Sequence, residues 1–243
     1  MVNESIKNIE TIADYIDTSK DFDATITKYA SKIISPQTNG LDILETGCST
    51  GEMTKDLINY AKSVSVVEGS KQYAECVRKK FGKKLTNLDI CLFEDYLPTC
   101  KFEGIVVAGC LHHMKSPKSF LQIMKNWLLP NGVAWITVPN ITSFHRQLGV
   151  KMNLIDSPSC ASERNLKFSQ PGRFTMRSMN DLLTDTGFQI IDSFGFFLKP
   201  FHHELMNKLS LEGILTDQVL DGLYLMGKEH QQLACQLYFK VKT

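Results

Sequence analysis

Neither sign of charge dominates this chain: 27 Lys and Arg stand against 26 Asp and Glu, a formal net charge of +1 over 243 residues. A protein that grips nucleic acid mainly through phosphates needs a clear cationic excess on one face, so no nucleic acid is expected as the main partner. Long apolar runs are missing too. The longest uncharged apolar stretch, residues 104–111, falls far short of the ~18 residues that cross a bilayer, and no membrane partner is expected. The opening Met1-Val2-Asn3-Glu4-Ser5 has neither a cationic start followed by an apolar core nor an Arg-rich amphipathic pattern, so no targeting segment is visible. The seven cysteines are an odd number and contain no C-x-x-C pair. That disfavours a disulfide framework or structural zinc and suits reduced thiols in a cytoplasmic protein. Internal repeats and low-complexity tracts are absent.

What remains is a globular composition, 43% hydrophobic and 22% charged. The length allows one large domain or two small ones at a rough ~150 residues per domain, and a core needing no covalent staple. A helical pattern places Phe22, Ile26, Tyr29, Ala30, Ile33 and Ile34 on one face, closed by Pro36 and Gly40. Short apolar runs follow at residues 41–44, 64–67, 88–92, 104–108 and 133–138. Continuous apolar sequence of this kind marks parallel strands covered on both faces. Helical segments at 54–61, 71–81 and 117–128 separate them, which predicts an open α/β sheet. From 141 to 173 the pattern breaks down around two prolines, as in an inserted, partly helical cap. A helix at 179–186, a strand at 189–197, a helical stretch at 203–225 and a strand at 234–241 complete the pattern, the two late strands being able to pair. The expectation is an α/β, seven-strand Rossmann-like doubly wound sheet forming a single domain over residues 1–243. Residues 1–40 would supply an N-terminal helical cover and residues 141–178 an inserted cap region on the acceptor side.

The most informative stretch is Leu41-Asp42-Ile43-Leu44-Glu45-Thr46-Gly47-Cys48-Ser49-Thr50-Gly51-Glu52-Met53-Thr54, a strand, a tight small-residue turn and a helix. In open α/β sheets this first turn approaches the ligand closely. A G-x-G-x-x-G fingerprint would need glycine at 47, 49 and 52, where the chain has Gly47, Ser49 and Glu52, and the Lys of a P-loop is absent. Instead an acid, Glu45, ends the strand, and Glu68 ends the next one, 17 residues beyond Gly51. A carboxylate there can accept both hydroxyls of a ribose. Taken singly, Gly47 and Gly51 serve equally as turn glycines and Glu68 as a solvated strand-end acid.

In order and spacing these residues resemble the seven-strand class I S-adenosylmethionine-dependent methyltransferases. Their first motif, E/D-x-G-x-G-x-G, is matched by Glu45 to Gly51 with Ser49 replacing the middle glycine. The resemblance, over roughly residues 25–200, implies S-adenosylmethionine as cofactor and S-adenosylhomocysteine as product. It would place Gly47 and Cys48 against the methionine part, Glu45 near the amino group, Glu68 on the ribose, and Gly69 and Ser70 beside the adenine. Glu94 and Asp95 stand where the family contacts the adenine amino group, or form a surface turn. Ala108 and Gly109 end the fourth strand at the cofactor's edge. Glu103-Gly104 departs from the family's Asp-hydrophobic pair at that strand's start. Cys48 reads as a small loop residue, since nothing nearby would lower its pKa.

Methyl transfer asks the protein to align an acceptor behind the sulfonium methyl and, for a hydroxyl acceptor, to provide a base, for which His suits neutral pH. His113 is the first candidate and His112 the second, both in the loop after strand four, with helix-start packing as the competing reading. His145 and Arg146, after Pro139-Asn140, could line the acceptor pocket, whereas His202 and His203 read as a polar helix start. A Cys110/His112/His113 metal cluster lacks a fourth ligand, so no metal is expected. Phe194, Phe196, Phe197, Phe201 and Tyr224 read as packing before they read as a pocket floor. Arg164, Lys167, Arg173 and Arg177 could hold an anion but read first as a solvated face. The reaction implied is methylation of an oxygen or nitrogen of a small-molecule acceptor, such as a quinone precursor, sugar or secondary metabolite, by a monomer or homodimer. A protein or RNA methyltransferase, which would call for a basic strip or an appended domain, and a non-catalytic cofactor-binding subunit are the alternatives.

Overall fold

The computed structural model describes residues 10, 13, 21–161, 165–166 and 170–243. Its centre is β1 (Asp42–Thr46), whose Ile43 and Leu44 are fully buried on opposite faces, as a strand covered on both sides requires. β1 runs parallel to β2 (Ser63–Glu68), with Asp42 opposite Ser63, and to β4 (Phe102–Ala108), with Ile43 opposite Gly104. β3 (Asn87–Ile90) lies outside β2, and β5 (Leu128–Pro139) outside β4. The last strand, β7 (Gln236–Lys242), enters antiparallel between β5 and β6 (Gln189–Phe196). The order β3-β2-β1-β4-β5-β7-β6 forms one seven-stranded sheet in which the two late strands do pair.

Helices cover both faces. On one, α1 (Phe22–Ile34), α2 (Glu52–Tyr60), α3 (Lys71–Phe81) and α8 (Asp217–Glu229) bury Phe22, Tyr29, Leu57, Val77 and Leu220 with Val66, Val106, Trp135 and Tyr238. On the other, α4 (Pro117–Lys125) and α6 (Met176–Asp185) bury Phe120, Met124, Met179 and Leu183 with Leu44, Ile105, Ile136 and Phe239. The neighbours Ile105 and Val106, like Trp135 and Ile136, go to opposite faces, the period of a strand. α5 (Phe144–Lys151) follows β5, and α7 (His203–Leu211) follows β6.

Two boundaries differ from the sequence pattern. The helix expected over 117–128 stops at Lys125, because the Trp127 carbonyl accepts the Phe102 N–H and Leu128 already pairs in the sheet. The stretch 203–225 is two helices: Gly213 stops α7 at φ +72° and the Thr216 side chain caps α8 by accepting the Val219 N–H. The phenylalanine group packs the core: Phe196 and Phe197 are fully buried and Phe194 lies against Tyr238, while Phe201 is exposed.

The Glu103-Gly104 departure has a structural reason. The Glu103 carboxylate accepts the Asp42 N–H at 2.8 Å, tying the starts of β4 and β1. A Cβ on Gly104 would come within 2.6 Å of the buried Trp135 ring and 3.2 Å of Ile43. Gly104→Ala is therefore expected to cost about 1–3 kcal/mol of stability through overpacking. Urea unfolding measures it, and a loss under about 0.5 kcal/mol would show that Trp135 yields.

After β1 the chain winds outward through β2 and β3, then crosses back to β4 on the other side of β1. The loops leaving β1 and β4 thus diverge, and the crevice between them at the carboxyl edge is where such sheets bind ligands.

Candidate functional site

The turn from β1 into α2 is built from left-handed backbone: Gly47 at φ +76°, Ser49 at +48° and Gly51 at +90°. Gly47 donates its N–H to the Val67 carbonyl at 2.8 Å and is flanked by Cys110 and by the Phe93 ring, each 3.4 Å from where a Cβ would stand. At Gly51 a Cβ would meet Phe81 at 2.8 Å and Val77 at 3.1 Å, so α2 can pack this closely on α3 only with glycine there. Ser49 holds the middle position at an angle that non-glycine residues adopt at a cost.

The two acids lie beneath this turn. Glu68, almost fully buried, accepts the Ser70 N–H at 2.9 Å on one oxygen and the Ser49 N–H at 3.1 Å on the other. Cys48 Sγ lies 3.6 Å from that second oxygen. Burial raises the Glu68 pKa against the lowering effect of these bonds. Glu45, equally buried, accepts a 2.6 Å hydrogen bond from Thr54 of α2, and burial pushes its carboxyl up to about 8, with the charge of Glu68 adding. The Cys48 thiol is pushed far above its ordinary range by burial and by both acids, so it is no nucleophile.

Glu45 carries a pH dependence with a definite sign. Its folded pKa lies above the unfolded value, so the stability it contributes is full below about 4.5 and is lost as pH rises toward about 8. Melting curves of the ligand-free protein should fall over that window, and Glu45→Gln should flatten the fall. An equal fall in the variant would assign it to other groups.

Around the crevice, Ser70 caps α3 and Gly69 forms the corner before it. Glu10 of the N-terminal segment accepts the Lys71 N–H at 2.6 Å and the Ser70 hydroxyl at 2.8 Å, a contact over 60 residues of sequence that no local pattern could announce. Glu94 and Asp95 lie exposed on a single 3₁₀ turn, and it is their neighbour Phe93 that reaches the glycine turn. β4 ends at Ala108, and Gly109 (φ +68°) faces open space where its side chain would be.

Opposite stands the loop after β4. His112 is buried and its carbonyl accepts the Gly172 N–H at 3.0 Å; His113 is half-buried, its ring 4.3 Å from that of His112 and its Nε2 3.5 Å from Gln170. His145, at the start of α5, is held by Ser143 at 3.2 Å. Burial drives it down to about 2, with Lys199 and Arg146 adding to the effect, so it is neutral and a poor proton acceptor. His203, read from sequence as a polar helix start, sits 2.5 Å from Asp21 and 3.6 Å from Asp23 at the joint of α1 and α7. These three offer ligand atoms within 4.8 Å of one another among the described residues. Arg177 lies exposed beside Asp181, and Arg164 and Lys167 fall outside the described residues.

The profile described as "Methyltransferase domain" matches residues 7–193. The chain belongs to that methyltransferase family. A comparison with curated proteins gives no match. Among solved structures, the methyltransferase is similar to the 1,6-didemethyltoxoflavin-N1-methyltransferase of Burkholderia thailandensis, at TM-score 0.62 and 16% identity over 98% of this chain and 87% of that one. It is also similar to an S-adenosylmethionine-dependent methyltransferase of Mesorhizobium loti, at 0.57 and 14% over 88% and 96%. The plantazolicin methyltransferase BamL gives 0.57 and 16% over 98% and 90%. At such identities the likeness is one of fold.

The cofactor of the methyltransferase is S-adenosylmethionine, and the donor set fits it. The buried acids Glu45 and Glu68 suit a ligand bearing an ammonium and ribose hydroxyls, and the open space at Gly109 lies on the same edge. No helix of the described residues is long and apolar enough to cross a membrane.

Proposed function

We propose that the methyltransferase moves a methyl group from S-adenosylmethionine to an oxygen or nitrogen of a small metabolite, working as one domain with residues 1–40 and 141–178 covering the site. The observation that carries this reading is a contact: Thr46 Oγ1, at the head of the glycine turn, lies 3.4 Å from Sγ of Cys110, two residues before His112. The turn that would hold the methionine end of the cofactor and the turn bearing the candidate bases thus share one crevice.

Within it, Glu45, Gly47 and Cys48 would hold the methionine part, Glu68 the ribose, Gly69 and Ser70 the adenine side, and Ala108 and Gly109 the floor. When bound, the cofactor supplies the electrophilic methyl carbon. The chain's own tasks are to orient the acceptor and to take its proton. His113 suits the second task better than His112, which is buried, or His145, whose environment disfavours protonation. The small-molecule acceptor draws support from the toxoflavin-precursor enzyme, crystallised with its acceptor and S-adenosylhomocysteine.

A macromolecular acceptor is the second reading. A basic strip does exist: Arg78, Lys79, Lys80, Lys83 and Lys84 are all exposed. It lies at the carboxyl end of α3, where cations complement the helix dipole, and its Lys80 donates to the Thr50 carbonyl of the glycine turn at 2.8 Å.

Calorimetric titration with S-adenosylhomocysteine, with NAD as control, tests the proposal. Saturable binding of the former alone is the expected result; binding of neither would reduce the Glu45 to Gly51 loop to a turn.

A further inference from the structure

The carboxyl edge of the sheet is electrically divided. Glu45, Glu68 and Glu10 gather at the ends of β1 and β2, whereas Arg146, Arg173 and Lys199 gather beyond β4, β5 and β6. The two arginines are held in place by carbonyls. Arg146 directs Nε to Pro158 and Nη2 to Cys160, and Arg173 directs Nη1 to the carbonyls of Gln170 at 2.5 Å and Gly172 at 3.2 Å. Among the described residues no carboxylate lies within 4.0 Å of either guanidinium, and Nη1 of Arg146 and Nε and Nη2 of Arg173 have no protein acceptor.

A carbonyl satisfies an N–H but neutralises nothing, so two fixed cations remain close enough that Arg173 lowers the Arg146 pKa, second to the effect of burial. Asp21 and Asp23, which face this half of the edge from α1, lie against His203. The arginines also stand at the acceptor's place. Arg173 precedes Phe174, which bridges to Asn140 at the end of β5, and its partner Gln170 reaches His113.

We infer that the methyl acceptor carries an anionic group, a carboxylate or a phosphate, which Arg146 and Arg173 grip beside His113. This rests on the methyltransferase reading above and narrows it to a substrate class. A planar guanidinium with free N–H groups suits either headgroup. A negative acceptor would also be drawn toward a cofactor that bears a net positive charge in its transferable form.

The test uses the full chain saturated with S-adenosylhomocysteine and three probes of similar size: 4-hydroxybenzoate, phenyl phosphate and 4-hydroxybenzamide. Calorimetry or saturation-transfer NMR should show at least one anion binding about ten-fold or more tightly than the amide, the scale of one charge-assisted hydrogen bond. Which anion prevails decides between carboxylate and phosphate. Arg173→Gln should abolish the margin while leaving the S-adenosylhomocysteine affinity unchanged. Arg146 also tethers the loop at 157–160, so Arg146→Lys, which keeps the charge and loses the fork, is the second variant and should reduce the margin. Equal binding of the three probes, binding of none, or a margin that survives both variants would overturn the inference. Failure of the wild-type protein to bind S-adenosylhomocysteine would instead overturn the reading beneath it, so the two failures are separable.

Discussion

Glu68→Ala raises the Kd for S-adenosylhomocysteine by a factor of roughly 5 to 150, the equivalent of about 1–3 kcal/mol for lost charge-assisted hydrogen bonds. The carboxylate lies at the end of β2, under the glycine turn, and is held by the N–H groups of Ser49 and Ser70. It therefore orients the turn, and in the proposed site it would also offer oxygens to a ribose. Removing it also leaves two N–H groups in a buried place without their acceptor, which lowers the melting temperature. Glu68→Gln separates the two roles: the amide returns one acceptor but turns a donor toward one of those N–H groups, so ribose binding stays poor. Calorimetry of both variants beside their melting curves makes the distinction, and an unchanged Kd in Glu68→Ala would mean that the ribose is held elsewhere.

The second large effect is on turnover. His113→Ala should lower kcat for a hydroxyl acceptor by about 10²- to 10⁴-fold, the usual contribution of a positioned general base. Its cofactor affinity should stay close to wild type, because the His113 ring packs on His112 and reaches Gln170. His112→Ala offers the contrast. That ring is buried and its backbone receives the cap residue Gly172, so the variant should lose stability along with activity. A parallel fall of turnover and cofactor affinity in His113→Ala would assign it a structural role.

The frame was readable because β1, β2, β4 and β5 are covered on both faces, so burial alone wrote continuous apolar runs into the sequence. The glycine turn was readable for a related reason: a turn needing left-handed backbone at 47 and 51 must spell itself in glycine, and Glu45 stands two residues before it. Ser49 shows the limit of that rule, since it holds φ +48° without being glycine.

Partners that chain folding brings together stayed hidden. Glu10 meets Ser70 and Lys71, His203 meets Asp21 across 182 positions, and Arg173 acts on Arg146 through the cap. None of these pairs lies at helical or strand spacing, and each residue alone reads as solvated surface. The break between α7 and α8 was hidden too, because the apolar spacing continues through Gly213 while the backbone does not.

The placement of β7 also governs the order in which this molecule can be completed. β1 to β5 need only residues up to 139 and pair in parallel through local crossovers, whereas β6 touches the sheet solely through β7, whose residues 236–242 come nearly a hundred positions after the end of β5. A chain emerging in sequence can therefore close the half that bears the glycine turn first, while residues 189–196 wait for a strand not yet made. That long-range closure is slow in kinetic terms and leaves the outer edge of β5 open in the interval. Loss of residues 236–242 would detach β6 and, with it, the ground on which Lys199 and His203 stand, leaving five paired strands that keep the glycine turn alone.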